Sequence, residues 1–183
     1  MKTRALLCLC MLFASPLATL AADKSVTLDT GDVFTINWGA DWVVGVNPPN
    51  SPLGTISING ADAKLWRISV GPLPPHPTLT ADPGNLRMYM RIMARGMENG
   101  GVQVDPEHKV LEGRNVRGIY VKAHDSRKKT KAEIRKAGGE WTDSYIGALS
   151  VGDRPYLFEV AWIPGGEAAA NTALAAIKTI RIK

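Results

Sequence analysis

The chain has 183 residues, a length that fits one folded domain. Hydrophobic residues make up 45% and charged residues 21%, which excludes a mostly disordered chain, a fibre and a multi-span membrane protein. Lys and Arg total 22 against 17 Asp and Glu, a formal charge of +5, which is too mild an excess for a nucleic-acid footprint.

Part of that charge belongs to the N-terminus. Lys2 and Arg4 precede an unbroken apolar run, Ala5–Phe13, and Ala14–Ala22 is rich in small residues. This is the three-part pattern of a secretory signal peptide, and the run is shorter than the roughly 20 residues that span a bilayer. Cleavage is expected after Ala21 or Ala22, leaving residues 23–183 as a single α+β domain that is periplasmic or secreted. Both cysteines, Cys8 and Cys10, lie inside the apolar run, early for a lipidation site. The mature chain therefore has no thiol for a disulfide, a metal or a nucleophilic step. Its balance falls to 20 basic against 17 acidic side chains.

The body alternates strands with two helices. Ser25–Asp29 and Val33–Asn37 flank Thr30-Gly31-Asp32, a hairpin signal. Trp38–Pro52 collects Gly, Asn, Pro and two tryptophans and reads as loop. Gly54–Ile58 is a short strand. Ala63–Gly71 is a better one, with Trp66, Ile68 and Val70 on one face. Five prolines in Gly71–Pro83 impose an extended connector. Asp82-Pro83 caps a helix that runs to about Asn99 and stops at Gly100-Gly101. Leu86, Tyr89, Met90, Met93 and Met97 form its core face, while Met88 points away.

Val102–Leu111 is broken by Pro106. Asn115–His124, Trp141–Val151 and Pro155–Ile163 predict an antiparallel meander, with Tyr156, Phe158, Val160 and Trp162 alternating inward. Glu167–Lys178 is an alanine-rich helix, and Thr179–Ile182 adds an edge strand.

This element order resembles the PsbP-like family, which includes DcrB-like bacterial envelope proteins. The resemblance spans Ser25 to Lys183. It rests on the Trp42 loop, Gly118-Ile119-Tyr120, Arg154-Pro155-Tyr156-Leu157-Phe158-Glu159 and the closing Ala176-Ile177-Lys178-Thr179-Ile180-Arg181-Ile182. It implies a central antiparallel sheet with helices packed on it, and a binding or accessory role rather than catalysis. None of these segments is a functional site that carries over.

Catalytic chemistry finds little support in the residues. The three histidines, His76, His108 and His124, lack the spacing of a zinc site, and no metal or cofactor is expected. Ser150 lies inside a strand rather than on a nucleophile elbow. His124-Asp125-Ser126 holds the triad residue types as neighbours, which cannot form a spatial relay. Two basic patterns stand out instead. Arg87, Arg91 and Arg95 repeat every four residues and form a stripe nearly opposite Leu86, Met90 and Met93. Such a stripe is either a solvated face or a grip for carboxylates and phosphates. Lys122–Lys136 is a protruding hairpin tip carrying Arg127, Lys128, Lys129, Lys131, Arg135 and Lys136. It is either a flexible soluble loop or a contact for anionic lipid or protein. It lacks the aromatics that single-stranded nucleic acid requires. The methionines are core filler or an adaptable, copper(I)-type face.

The leading expectation is an exported, non-catalytic envelope protein that recognises an anionic protein or lipid headgroup. A periplasmic immunity or inhibitor protein is the narrower alternative. A hydrolase whose site joins His108 or His124 to a carboxylate and a hydroxyl is the alternative from another class.

Overall fold

A computed structural model of the chain describes residues 22–28, 31–39, 41–48, 51, 54–60, 66–73, 80–127 and 129–183. The signal-peptide reading, His76, Lys128 and most of the proline-rich connector lie outside the described residues. Strands β1 (Ala22–Thr27) and β2 (Val33–Trp38) form the expected hairpin. A short C-terminal strand, Arg181–Ile182, adds to β2 and makes a three-stranded sheet.

The large sheet is antiparallel throughout. Its strands are β3 (Val43–Val46), β4 (Ile56–Asn59), β5 (Trp66–Pro72), β6 (Gln103–Val104), β7 (Lys109–Glu112), β8 (Val116–His124), β9 (Asp143–Val151) and β10 (Arg154–Trp162). The spatial order is β3-β4-β5-β10-β9-β8-β6, with β7 also paired to β8; the C-terminal strand is β11. The meander β8-β9-β10 is present as expected, and β5 docks against β10.

Two places depart from the sequence expectation. The stretch read as loop contains β3, because Val43, Val44 and Val46 are β-branched and pair with β4 despite the surrounding Gly and Pro. The basic connection is not a bare hairpin tip either. It folds into a third helix, α2 (Lys131–Ala137). Thr130 and Glu133 form a reciprocal capping box at its start, and Gly138 closes it at φ 70°.

Helix α1 (Pro83–Asn99) begins as expected. Asp82 Oδ1 accepts from the backbone of Gly84 at 2.8 Å and of Asn85 at 3.2 Å. Leu86, Met90 and Ala94 are buried against β8 and β9, with Ile119, Val121 and Ala148 beneath them. Helix α3 (Glu167–Ile177) covers the opposite face of the large sheet, wedged against β10, β5 and β2. There Phe34, Ile36 and Trp38 of the small sheet meet Ile58, Ile68, Phe158 and Val160 of the large one. Burial of such side chains contributes roughly 1.5–3 kcal/mol each. The large sheet thus has a wide core under α3 and a narrower one under α1.

Candidate functional site

The inner face of α1 is fixed by its apolar contacts, so its outer face is fixed too. Arg87, Arg91 and Arg95 all stand exposed on it, and none forms an ion pair with a described residue. Beside them, one position along at the same four-residue spacing, Met88 is 49% and Ile92 63% exposed. At Gly96, the next position in that row, an added Cβ would meet nothing within 4 Å. The outer face is therefore a basic stripe next to an apolar one. Sequence reasoning noted Met88 but missed Ile92, although the spacing from Met88 to Ile92 was the available signal.

The residues of the basic connection divide into two groups. Arg127, itself exposed, grips Asp125 with both ends of its guanidinium, Nε to Oδ1 at 2.8 Å and Nη2 to Oδ2 at 2.9 Å. It also donates to the Gly100 carbonyl at the end of α1. Lys129 lies 3.4 Å from Asp125 Oδ2 and donates to the Trp141 carbonyl. These contacts, led by the Arg127 hydrogen bonds, hold the Asp125 carboxyl well below the usual carboxylate range. Lys131, Arg135 and Lys136 of α2 are exposed and form no ion pair with a described residue. Lys122, placed by the sequence at the base of the tip, sits in β8 and pairs with Glu167 at 2.7 Å.

Met97 of α1 and Glu133 and Lys136 of α2 wall a common cleft of about 400 Å³, so α2 flanks the same cleft as the C-terminal part of α1. The cleft floor holds Arg67, whose side chain is 5% exposed. Its Nη2 lies 3.3 Å from Glu159 Oε2, and its guanidinium rests 5.1 Å from the centre of the Trp141 ring. Burial lowers the Arg67 pKa, and Glu159 opposes that shift.

An imidazole, a carboxylate and a hydroxyl do come together nearby. His124 Nδ1 lies 3.0 Å from Asp143 Oδ1, and Thr142 Oγ1 donates to Asp143 Oδ2 at 2.9 Å. The order is hydroxyl–carboxylate–imidazole. A nucleophile must instead give its proton to the imidazole. His108 Nδ1 faces the Pro106 carbonyl at 3.3 Å. Among the described residues no three His, Cys, Asp or Glu side chains gather as a metal site. No described helix is long and apolar enough to cross a membrane.

The fold is that of PsbP. The chain superposes on the solution structure of cyanobacterial PsbP (CyanoP) from Synechocystis sp. PCC 6803 with a TM-score of 0.53, covering 94% of this chain and 99% of that one, at 7% identity. A crystal structure from Bacteroides thetaiotaomicron VPI-5482 gives a TM-score of 0.48 at 16% identity, covering 82% of this chain and 45% of that one. No family model matches the chain, and no curated protein matches it in sequence. The likeness to CyanoP establishes the architecture. The DcrB-like branch of the resemblance rests only on the residues quoted for it.

Proposed function

We propose that this chain is an exported, non-catalytic accessory protein of the cell envelope that docks on an anionic partner through the outer face of α1. The observation that carries this reading is the exposed row Arg87/Arg91/Arg95, ion-paired with no described residue, beside exposed Met88 and Ile92. A row kept only for solubility has no need of adjoining apolar side chains. A docking face uses both, the guanidiniums for phosphate or carboxylate and the apolar row for desolvated contact. Lys131, Arg135 and Lys136 extend the positive field at the end where α2 flanks the same cleft as α1. The PsbP-like resemblance points the same way, toward an accessory role. Export follows from the Met1–Ala22 pattern. Cleavage after Ala21 leaves the β1–β2 ladder whole, since Ala22 is opposite Trp38.

The test compares wild type with Arg87→Gln/Arg91→Gln/Arg95→Gln in flotation on phosphatidylglycerol vesicles and in pull-downs from envelope extract. Each arginine near an anionic lipid surface is worth about 1 kcal/mol, so partitioning falls on the order of a hundredfold in low salt. Salt erodes wild-type binding and leaves the variant little to lose. Loss on vesicles identifies lipid as the partner; loss of one protein from the pull-down identifies an acidic protein, the immunity or inhibitor case included. Equal behaviour of both proteins in both assays refutes the reading.

A further inference from the structure

We propose that the cleft between the inner side of α1 and strands β5 and β10 binds a neutral amphiphile, an apolar body carrying one hydroxyl or primary amide head. This site is separate from the arginine face, which lies on the other side of the helix. The cleft measures about 510 Å³, within the range of small-molecule sites. Met93 of α1, Ile146 of β9, Leu157 of β10 and Pro72 of β5 supply apolar walls.

Four polar side chains line it, Ser51, Thr55, Ser69 and Glu159, and two of them share one face of the large sheet. The β5–β10 register sets Ser69 opposite Glu159, so both side chains leave the same face of the sheet. Ser69 is 6% exposed, and its Oγ forms no hydrogen bond with any described residue. Buried hydroxyls without a partner are uncommon because each loses its hydration for nothing. Glu159 Oε2 accepts from Arg67 Nη2, while Oε1 accepts from no described residue.

The charge balance selects the head group. Glu159 is the one charged residue among those described that lines the cleft, and Arg67, outside it, already offsets that charge. A carboxylate head would face Glu159, and an ammonium head would add a cation beside a carboxylate that Arg67 already offsets; either would bring a net charge into a partly dry site. A hydroxyl or amide instead donates to Glu159 Oε1 and accepts from the Ser69 hydroxyl, leaving its tail against Met93, Ile146 and Leu157.

The test titrates the full chain with 1-octanol, octanamide, octanoate and octylamine, following the Met93 methyl resonance. Octanol and octanamide should shift it and saturate, with the two charged probes about tenfold weaker or worse. Ser69→Ala should weaken octanamide about fivefold, the worth of one hydrogen bond. In the ligand-free protein the same variant should unfold at a higher temperature, because it removes an unsatisfied group. Met93→Trp, on a half-buried position, should fill the cleft and abolish the shift. The proposal is overturned if no probe moves Met93, if a charged probe binds as well as octanamide, or if Ser69→Ala leaves affinity unchanged. A lower unfolding temperature for Ser69→Ala would also overturn it, because the hydroxyl would then already be satisfied.

Discussion

Gly147 sits in the middle of β9, opposite Phe158 on one side and Tyr120 on the other. A Cβ added there would stand 2.4 Å from Phe158 Cε1, 2.5 Å from Cζ and 2.7 Å from the Ile119 carbonyl oxygen. The carbonyl belongs to the β8 backbone and cannot withdraw alone. The ring is only 2% exposed and is hemmed in by Tyr120, 6.5 Å away between ring centres. Overpacking of this kind costs at the upper end of roughly 1–3 kcal/mol. The smaller backbone entropy of alanine returns about 0.5–1 kcal/mol, so Gly147→Ala should destabilise by about 2 kcal/mol. Gly96→Ala makes the same chemical change on the open side of α1 and should stabilise by about 1 kcal/mol. In urea titrations with slopes of ~2 kcal/mol/M, the two midpoints should lie on opposite sides of wild type, with Gly147→Ala lower by about 1 M. A Gly147→Ala protein as stable as wild type would show that the Phe158 ring does not occupy the space above the glycine.

Three further outcomes are expected. Asp125→Asn should release Arg127 and Lys129 and speed amide exchange across residues 125–138, with little change in the sheet. Because folding depresses the Asp125 pKa, its contribution is present above the ordinary carboxylate pKa and is lost as pH falls through and below it. Protection of that segment in wild type should therefore fade below about pH 4, and the Asn variant should lack this acid transition. Thr130→Ala should remove the capping box, costing α2 about 1 kcal/mol of local stability. Exchange at residues 131–137 reads this, and an unchanged rate would mean the helix is held by packing alone. Tyr145→Phe should cost about 1 kcal/mol in denaturant unfolding, since its hydroxyl donates to Asn171 Oδ1 at 2.8 Å and ties β9 to α3. No loss would mean that bond is matched by water in the unfolded chain.

Much of the architecture was legible because its signals are local. Asp82-Pro83 and Gly100-Gly101 bracket α1, and the alternation of Tyr156, Phe158, Val160 and Trp162 marks β10. The four-residue spacing of Arg87, Arg91 and Arg95 by itself places them on one helix face. Helix α2 was hidden for the opposite reason. Its capping pair, Thr130 and Glu133, is present in the sequence, but Ile134 is the only large apolar residue in the helix, so periodicity gives it no voice. β3 was hidden because its four residues are surrounded by loop-forming Gly, Asn and Pro, and its partner β4 decides the matter.

The sequence by itself determined the elements whose caps, turns and apolar periods are written within a few neighbouring residues, together with the outward arginine row. Only the tertiary structure decided that Asp125 captures Arg127 and Lys129 while Lys131, Arg135 and Lys136 pair with no described residue. It alone also brought Arg67 to Glu159, 92 residues away, and set Ser69 beside them. Those contacts depend on the register in which β5 meets β10, and register is chosen by the packing of whole sheet faces against α1 and α3, a sum over many distant side chains.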